Sequence, residues 1–477
     1  MPHIDHLPSS LQSIHIMGIC GTAMGALAGM LADAGYTVSG SDKAVYPPMS
    51  TYLEGLGIPV MEGFVAKNLD HRPDLVVVGN VVRAVYEEAQ ALLESDIPYC
   101  SFPELLGHLF LHDAHNVVVA GTHGKTTTTS ITAWLLECAG KNPGFLIGGI
   151  AKNFDRTART GGGTHFVIEG DEYDTAFFDK GPKFLHYRPV TAILTSVEFD
   201  HADIYTDLEH VKQSFRKLVA IMPANGCLIV RWDDEGARSV ASEATCDVWR
   251  YGPGQEWDGR VESTDTDTGT MTFSVLRAGE VVGTYTSSLV GEHNLYNQVA
   301  AAAAAIRAGA TPAELTQGFA TFAGIKRRQE VLGEPGGVTV IDDFAHHPTA
   351  VLSTIQALRQ RFGTRRLWVA WEPRSATSRR NVFQSAYAES FDGADRVLIA
   401  RPFDTSGIPE DQRFDSDRLV NDLAARGVDA LVLDEPEQIA RTIALGAHPR
   451  DVVAIFSNGA FGGVHKRLLA LLEDRFA

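Results

Sequence analysis

The segment that most constrains this chain is residues 117–127, which read Val-Val-Val-Ala-Gly-Thr-His-Gly-Lys-Thr-Thr. The valine run predicts a buried strand, and the Gly-Lys-Thr that follows it predicts a helix that begins at Lys125. The backbone amides of such a loop, together with the helix N-terminus, hold phosphate oxygens. Lys125 would reach the terminal phosphates, and the Thr126 hydroxyl would ligate Mg²⁺. Val119 stands where the eight-residue phosphate-loop pattern has a glycine, so the loop is a shortened variant.

The rest of the chain repeats this alternation of apolar, β-rich runs with helical stretches, which predicts an α/β protein with helices on parallel sheets. At about 150 residues per domain, 477 residues predict three domains. We place them at 1–112, 113–325 and 326–477. Residues 257–289 alternate polar and apolar side chains, which predicts a small antiparallel sheet. The main predicted strands cover 13–17, 38–41, 75–78, 116–120, 165–169, 192–195, 227–230, 338–341, 366–371, 396–399, 430–432 and 452–456, and the clearest helices cover 22–34, 125–139 and 297–308.

Composition excludes several classes of protein. A net charge of −18 argues against a protein held to nucleic acid or anionic lipid by a positive field. The five cysteines form no close pair, so neither a disulfide framework nor a cysteine zinc site is indicated. No apolar run approaches the roughly 20 residues that cross a bilayer, and residues 1–10 lack the pattern of a secretory signal. We expect a cytoplasmic protein with no nucleic-acid or membrane partner. The oligomeric state stays open, and a monomer is compatible with the sequence.

Two acidic segments follow predicted strands of the second domain. Residues 169–174 read Glu-Gly-Asp-Glu-Tyr-Asp, and residues 198–203 read Glu-Phe-Asp-His-Ala-Asp. Because the carboxyl ends of parallel strands line a common crevice, these side chains are expected to converge on the phosphate loop. Mg²⁺ prefers oxygen ligands and phosphates, and a histidine can complete the shell of a second ion. The alternative is that both segments are solvated surface loops.

Near the N-terminus, a predicted strand leads through Gly18, Gly21 and Gly25 into a helix. The dinucleotide pattern G-x-G-x-x-G fails there, because Cys20 and Ala23 occupy two of its glycine positions. A diphosphate can still bind at this helix N-terminus, and Asp42 follows the next strand, where a ribose or base contact is expected. The alternative is a turn that needs glycine only for packing.

Further polar segments follow predicted strands or precede helices in the second half of the chain. Each has a structural alternative when taken singly: a helix cap, a solvated face or a turn. Together they suggest loops of three domains that face one cleft. The segments are Gly291–Asn297, Ile325–Arg328, Ile341–Pro348, Trp371–Arg380 and Phe456–Gly463.

Taken together, these motifs resemble the Mur ligases in order and approximate spacing, from about His15 to Gly463. The resemblance implies a three-domain α/β architecture. It comprises a Rossmann-like N-terminal domain, a central ATPase-type domain with a parallel sheet plus a small antiparallel sheet, and a Rossmann-like C-terminal domain. The motifs that carry the resemblance are 121–127, Glu169 with Asp171-Glu172, Asp200-His201-Ala202-Asp203, His293-Asn294 with Asn297, Arg327-Arg328, and Asp342-Asp343 with His346-His347-Pro348.

The resemblance also implies a reaction and its components. ATP would phosphorylate the lactyl carboxylate of UDP-N-acetylmuramate, and an amine would displace phosphate from the acyl phosphate, with two Mg²⁺ ions as cofactors. The residues implied in catalysis are Lys125, Glu169, His201 and Arg327, and those implied in metal binding are Thr126, Glu169 and His201. The residues implied in ATP binding are Gly121, Thr122, His123, Gly124, Lys125, Thr126, Thr127, His293, Asn297, Arg327 and Asp343.

The resemblance also implies residues for the other two substrates. UDP-sugar binding is implied for Gly18, Thr22, Met24 and Asp42, and peptide binding for Arg374, Ser457, Asn458, Gly459 and Phe461.

Two segments, 170–189 and 198–205, resemble family members that add the recycled tripeptide L-alanyl-γ-D-glutamyl-meso-diaminopimelate during peptidoglycan recycling. The alternative acceptor is L-alanine, used in de novo peptidoglycan synthesis, and the enzymes that add it have serine where Tyr173 stands. The carbamylated lysine of many Mur ligases has no clear counterpart, since Arg216 and Lys217 are only loosely in register. The Asn-Pro-Arg signature for diaminopimelate is also absent.

Two other function classes compete with the ligase. A nicotinamide-dependent oxidoreductase would use the N-terminal unit but would leave the Gly-Lys-Thr segment unexplained. A non-enzymatic ATP-driven switch would keep the phosphate loop and use the third domain as a partner surface. It would bind ATP without turnover that depends on a carboxylic acid substrate.

Overall fold

The computed structural model describes residues 7–8, 10–46 and 49–477. Among them the chain forms three successive α/β units, each built on its own sheet. The expectation about a signal at residues 1–10 falls largely on residues 1–6 and 9, outside the described residues. No helix among the described residues is long and apolar enough to cross a membrane.

The first unit has a five-stranded parallel sheet in the order β3-β2-β1-β4-β5. The strands predicted at 13–17 and 75–78 are confirmed at those bounds. The strands are β1 (Ser13–Met17), β2 (Thr37–Asp42), β3 (Val60–Glu62), β4 (Leu75–Val78) and β5 (Tyr99–Ser101), and the helices are α1 (Thr22–Asp33), α2 (Met49–Gly55), α3 (Glu87–Glu94) and α4 (Phe102–Leu109).

The central unit has a ten-stranded mixed sheet in the order β15-β14-β13-β12-β11-β10-β6-β9-β7-β8. Its strands are β6 (His115–Ala120), β7 (Gly144–Ala151), β8 (Arg156–Arg159), β9 (His165–Gly170), β10 (Pro189–Leu194), β11 (Cys227–Arg231), β12 (Asp247–Tyr251), β13 (Trp257–Asp265), β14 (Thr270–Arg277) and β15 (Glu280–Ser287). Its helices are α5 (Lys125–Cys138), α6 (Leu208–Ala220), α7 (Glu235–Ala241), α8 (Glu292–Arg307) and α9 (Pro312–Thr321).

The predicted antiparallel strands are present as β13, β14 and β15, and they continue the central sheet. The connection is a single parallel residue pair, Tyr251 with Trp257. The alanine-rich helix α8 packs against α5, and its residues Ala300–Ala305 are almost fully buried. Their small side chains let the two helices approach closely, so α8 lies beside the helix that follows the phosphate loop.

The third unit has a six-stranded sheet in the order β16-β17-β21-β18-β19-β20, parallel except for β16. Its strands are β16 (Glu330–Gly333), β17 (Thr339–Asp343), β18 (Leu367–Trp371), β19 (Arg396–Ala400), β20 (Asp429–Leu433) and β21 (Val452–Phe456). Its helices are α10 (Pro348–Phe362), α11 (Gln384–Ser390), α12 (Ser416–Ala425), α13 (Pro436–Gly446) and α14 (Val464–Phe476). Single-turn 3₁₀ helices occur at Ala66–Leu69, Lys183–His186, Pro335–Gly337, Asn381–Phe383, Glu410–Gln412 and Phe461–Gly463.

The apolar core follows this division only in part. One buried cluster contains Ile16 and Leu105 of the first unit together with Val118 and Leu194 of the central sheet. The first unit is therefore packed on the central sheet through shared apolar surface. The third sheet has separate clusters on its two faces, and both clusters contain only residues of the third unit.

Candidate active site

The phosphate loop joins β6 to α5, and its close contacts require glycine at two positions. Gly121 and Gly124 have φ angles of 130° and 80°, which favour glycine. A Cβ on Gly121 would lie 2.2 Å from Thr195 Oγ1, and one on Gly124 would lie 2.6 Å from Asn297 Oδ1. The loop is thereby fixed against the segment after β10 on one side and against α8 on the other.

The predicted phosphate-binding lysine is buried in this loop. The Lys125 ammonium donates to the Gly121 carbonyl at 2.5 Å and to Glu172 Oε2 at 3.1 Å. Burial alone would lower the pKa of Lys125, but the charges of Glu172 and Asp171 outweigh it and raise the pKa. A phosphate bound in the loop would therefore meet a charged ammonium.

Thr126 and Glu169 are in direct contact at the start of α5. Strand β9 lies parallel to β6 with Glu169 opposite Val119, so the carboxylate projects beside the loop. Glu169 Oε1 accepts from the Gly148 amide at 2.9 Å, and the carboxylate is hydrogen-bonded to the Thr126 side chain. Burial raises the pKa of Glu169, and the nearby charge of Asp171 raises it further.

His201 joins the same acidic cluster from the loop after β10. Its φ of 52° is left-handed, and its Nε2 lies 3.6 Å from Glu172 Oε1. The structure thus brings Thr126 and Glu169 into one pair and places His201 beside Glu172. Glu172 itself is ion-paired to Lys125. The three predicted metal ligands therefore lie around one buried set of charges.

The donor set fits a magnesium ion. Three buried or half-buried carboxylates, Glu169, Asp171 and Glu172, share two lysines, because Asp171 Oδ2 pairs with Lys183 Nζ at 2.8 Å. A cation would relieve the repulsion between Glu169 and Asp171. The oxygens that are free to meet it, from a carboxylate and a threonine hydroxyl, are ligands that Mg²⁺ accepts.

A cavity of about 400 Å³ opens from the phosphate loop towards the third unit. Seven of the predicted ATP-binding residues line it: His123, Gly124, Thr126, Thr127, His293, Asn297 and Asp343. Gly121, Thr122, Lys125 and Arg327 do not line the cavity. Residues that the motif analysis missed include Arg231, Asp233 and Asp234, which also line it. Arg231 is the last residue of β11, and Asp233 and Asp234 follow it. The rule that located the acidic segments, polar side chains at the carboxyl end of a parallel strand, could therefore have found them.

The two neighbouring arginines have different positions in this structure, and the roles predicted for Arg327 in catalysis and ATP binding stay a prediction. Its φ of 63° turns the side chain into the third unit, where it donates to Asp342 Oδ2 and to the carbonyls of Ser457 and Gly459 at 3.2, 2.6 and 2.7 Å. Arg328 lines the cavity instead, with Nη2 3.4 Å from Thr126 Oγ1. Arg328 thus faces the cavity beside the phosphate loop, whereas Arg327 faces the third unit.

Three of the predicted ATP-binding residues, His293, Asn297 and Asp343, line this cavity from α8 and from the end of β17. On α8, Asn297 Oδ1 accepts from Thr128 Oγ1 at 3.2 Å. Burial lowers the pKa of His293 to about 4, with a contribution from Arg231, so its ring is neutral at neutral pH. Asp343 at the end of β17 accepts from the amides of Gln329 and Ala345 at 2.7 and 2.8 Å. Through the bond to Gln329, the carboxylate also holds the segment 326–329, which contains Arg328.

In the first unit, the structure gathers Gly18, Thr22 and Asp42 at the carboxyl ends of β1 and β2. The Gly18 amide donates to the Ser41 carbonyl at 2.8 Å, and Asp42 Oδ2 accepts from the Cys20 amide at 2.8 Å. Thr22 is exposed at the first position of α1. Met24 is buried in the core, which favours packing as its role.

In the third unit, the predicted peptide-binding residues meet at the ends of β18 and β21. Arg374 packs directly on Gly459, where a Cβ would lie 2.0 Å from Arg374 Nε. Ser457 donates to Glu372, and Glu372 Oε1 accepts from Arg374 at 3.3 Å. The Asn458 amide oxygen is buried with no partner among the described residues. Phe461 is fully buried and packs in the core of the third unit.

Polar contacts join the central and third units across the cleft. Asp200 Oδ1 accepts from Thr377 Oγ1 at 2.7 Å, and Asp200 Oδ2 lies 3.8 Å from His346 Nε2. Glu198 Oε2 accepts from Thr349 Oγ1 at 2.7 Å. The segment 198–200, predicted as part of a metal site, thus holds the two units together in this structure.

Comparison with known protein families identifies the family to which these three units belong. Models of the Mur ligase catalytic domain, middle domain and glutamate ligase domain match residues 13–113, 119–305 and 327–459. The chain belongs to the Mur ligase family. The resemblance seen in the sequence is thereby confirmed. The chain is an ATP-dependent ligase that forms amide bonds.

Several relatives match nearly the whole chain. A UDP-N-acetylmuramate–L-alanyl-gamma-D-glutamyl-meso-2,6-diaminoheptandioate ligase of Escherichia coli is 42% identical over 96% of this chain and 97% of its own. The ligase of the same name from Haemophilus influenzae is 38% identical over 97% of this chain and 100% of its own. The crystal structure of a murein peptide ligase from Psychrobacter arcticus, 35% identical, superposes with a TM-score of 0.70 over 97% of this chain and 98% of that one.

Proposed function

We propose that this Mur ligase joins UDP-N-acetylmuramate to the tripeptide L-alanyl-γ-D-glutamyl-meso-diaminopimelate. The observation that carries the proposal is the 42% identity, over nearly the full length of both chains, to an enzyme named for that reaction. The geometry supports it, because the phosphate loop, Arg328 and the loops of the third unit surround one cleft. The reaction would return the peptide of degraded peptidoglycan to a nucleotide-linked precursor. Since ATP and the UDP-sugar are cytoplasmic metabolites, we place the enzyme in the cytoplasm.

In the proposed mechanism, the lactyl carboxylate oxygen attacks the γ-phosphorus of ATP, and ADP leaves. The product is an acyl phosphate, whose carbonyl is then attacked by the α-amine of the tripeptide's alanine, and phosphate leaves. Lys125 and Arg328 stabilise the charge on the transferring phosphoryl group from two sides. Thr126, Glu169 and His201 would hold Mg²⁺, which we take to be two ions, and the bound metal would neutralise charge on the phosphate oxygens.

The remaining binding roles are proposed from position. His293 and Asn297 on α8 would contact adenine, and Asp343 would contact ribose, since all three line the cavity beside the loop. Gly18, Thr22 and Asp42 would hold the UDP part at the end of the first sheet. We further propose that the three units 1–112, 113–325 and 326–477 bind UDP-sugar, ATP and peptide in that order, with Arg374 and residues 457–459 on the peptide.

The test of the proposal is phosphate release from ATP and Mg²⁺ in the presence of UDP-N-acetylmuramate. The acceptor is either the tripeptide or L-alanine, in separate reactions. We expect turnover with the tripeptide and little with alanine. Turnover with alanine alone would assign the chain to the L-alanine-adding alternative. ATP binding without any turnover would favour the ATP-driven switch.

Lys125→Ala separates chemistry from UDP-sugar binding. Because the ammonium is the buried cation of the phosphate loop, its removal should lower kcat by at least about 10²- to 10³-fold. UDP-N-acetylmuramate should still bind, since it is proposed to lie on the first unit. Isothermal titration of the UDP-sugar and phosphate-release kinetics measure the two effects. Loss of UDP-sugar binding in a folded variant would contradict the assignment of substrates to units.

A further inference from the structure

A buried carboxylate lies in the first unit, against the ends of the strands that are proposed to hold the UDP-sugar. Glu88, on α3, has no solvent exposure. Its neighbours on the helix, Ala89 and Leu92, pack in an apolar cluster with Met17 and Val78 of the sheet. No lysine or arginine pairs with Glu88 in the part of the chain that the structure describes. A charge buried in this way is costly unless hydrogen bonds compensate it.

Three polar side chains surround the Glu88 carboxylate. Ser41 Oγ donates to Oε1 at 3.0 Å, and Asn68 Nδ2 donates to Oε2 at 2.9 Å. His15 Nε2 lies 2.9 Å from Oε1. All three side chains are themselves buried. The carboxylate therefore contacts β1, β2 and the 3₁₀ helix Ala66–Leu69 at the same time.

Ser41 connects Glu88 to the loop between β1 and α1. Its hydroxyl donates to the carboxylate, and its carbonyl accepts from the amides of Gly18 and Ile19 at 2.8 and 3.1 Å. Both groups belong to one residue, the last but one of β2. A change in the orientation of Ser41 would therefore move the acceptor of both loop amides.

A second route leads from Glu88 to Asp42. Asn68 donates through Nδ2 to Glu88 and also to the Gly63 carbonyl at 2.8 Å. An amide nitrogen carries two hydrogens, so both bonds can form together. The Gly63 amide in turn donates to the Asp42 carbonyl at 2.8 Å. Gly18 and Asp42, which are proposed to contact the UDP part, are thus both linked to Glu88 through hydrogen bonds.

Stability alone does not account for a carboxylate at this position. Apolar side chains of similar volume often give equal or greater stability than a buried charged group, and the surroundings here are apolar. Apolar contacts have no preferred direction, whereas a hydrogen bond aligns its donor with its acceptor. Glu88 is therefore suited to orient Ser41 and Asn68.

We propose that Glu88 is a positioning residue for UDP-N-acetylmuramate. Because it is fully buried, it does not contact the substrate, and it acts by orienting the loop at Gly18 and the end of β2 through Ser41 and Asn68. This inference rests on the proposed function, which places the UDP part on the first unit. ATP and the tripeptide are proposed to bind on the other two units, so Glu88 should affect the UDP-sugar alone.

Glu88→Gln in the full chain tests this role, with Asp74→Asn as the matched control. Glutamine keeps the size of the side chain but turns an NH₂ group towards a donor, so at least one hydrogen bond is lost. Asp74 also accepts three hydrogen bonds, from the amides of Gln12 and Ser13 and from the Ser13 hydroxyl. It does so at the amino end of β1, about 13 Å along the strand from the carboxyl end.

We expect Glu88→Gln to raise the KM for UDP-N-acetylmuramate about tenfold, since a bond to a charged group is lost. The value of kcat and the KM values for ATP and the tripeptide should stay near those of the wild type. Calorimetric titration with the UDP-sugar should show the same loss of affinity. Both variants should unfold at a lower temperature than the wild type, but Asp74→Asn should keep the KM for the UDP-sugar.

Ser41→Ala provides a second measurement, which also serves if Glu88→Gln does not fold. It removes the hydroxyl that donates to Glu88 and keeps the carbonyl that accepts from the loop amides. We expect the KM for the UDP-sugar to rise about threefold. In the double variant the rise should be smaller than the product of the two single effects, because both substitutions break the same hydrogen bond.

The outcomes separate this inference from the proposed function. An unchanged KM for the UDP-sugar in folded Glu88→Gln and in Ser41→Ala would overturn the inference while the proposed function stands. An equal rise in Asp74→Asn would overturn it too, because the effect would then reflect a general loss of structure. Effects that multiply in the double variant would also overturn it. A wild type that neither binds the UDP-sugar nor turns over would remove the proposed function, and the inference with it.

Discussion

At the scale of single residues, the site depends on which of two adjacent arginines faces the cleft. The left-handed φ of 63° at Arg327 sends its side chain and that of Arg328 in different directions. Arg327 donates to two carbonyls of the loop 457–459 and to Asp342. It therefore anchors the loop 457–459, while Arg328 approaches Thr126. Residues 326–329, which connect the central unit to β16, thus contact both the phosphate loop and the loop 457–459.

We expect Arg328→Ala and Arg327→Ala to change different kinetic constants. Loss of Arg328 removes a cation from the transferring phosphoryl group, and we expect kcat to fall by about 10²- to 10³-fold. Loss of Arg327 releases the loop 457–459, so we expect a higher KM for the tripeptide and a lower unfolding temperature with a smaller effect on kcat. Steady-state kinetics for all three substrates measure this. A fall in kcat that is larger for Arg327→Ala would support the catalytic role predicted for Arg327 from the sequence.

At the scale of secondary-structure elements, the phosphate loop is defined by the contact between α5 and α8. Gly124 is the residue before α5, and its missing side chain lets Asn297 of α8 approach the loop. The alanine run of α8 allows this close approach along the rest of the helix pair. The shape of the phosphate loop and the packing of the two helices thus depend on the same few small residues.

Gly124→Ala tests that contact, with Gly140→Ala as its control. Both glycines have positive φ, of 80° and 70°, so each substitution costs about 1–2 kcal/mol of backbone strain. Only Gly124→Ala adds a Cβ 2.6 Å from Asn297 Oδ1, whereas nothing lies within 4 Å of one at Gly140. We expect both variants to lose stability and only Gly124→Ala to lose affinity for a nonhydrolysable ATP analogue, measured by calorimetry. Equal affinity losses would contradict this account.

The elements themselves were largely predictable, because local patterns determine them. The buried valines of β6 and the glycine-to-helix transition at Lys125 are properties of adjacent residues. Strand partners are different, since the antiparallel strands join the central sheet through the single pair Tyr251–Trp257. No local pattern distinguishes that arrangement from a separate sheet. The direction of the Arg327 side chain could not be predicted from the sequence either, because it depends on the φ angle of that one residue.

At the scale of the whole molecule, the third unit is held to the central unit by residues far apart in sequence. His347, at the N-cap of α10, donates to the Phe199 carbonyl at 3.2 Å, and its ring lies 4.6 Å from that of His123. Burial opposes the charge of Glu198, but His123 together with Thr349 and His347 outweighs it and lowers its pKa to about 2. The sequence placed these side chains near one cleft, but their pairing depends on how the units dock.

Acidification should weaken this docking through His347. Burial, with the neighbouring His123, lowers the pKa of His347 to about 4, against about 6.5 in the unfolded chain. Between these values the unfolded chain binds a proton that the folded chain excludes, so stability falls as the pH drops through that window. Glu198 loses its contribution only below about pH 4.5, since its folded pKa is about 2. A comparison of pH 7 with pH 5 therefore reports on His347 rather than on Glu198.

His347→Asn isolates this contribution, because asparagine keeps a side-chain acceptor at the N-cap of α10 and does not titrate. Other buried histidines, such as His293, also lower the stability as the pH falls, but they do so equally in the wild type and in the variant. We expect the loss of stability between pH 7 and pH 5 to be smaller in the variant by about 1–2 kcal/mol. Urea unfolding at both pH values, followed by tryptophan fluorescence, measures the difference. If the two proteins lose stability in parallel, the ring of His347 is protonated in the folded enzyme and does not hold the units together as a neutral donor.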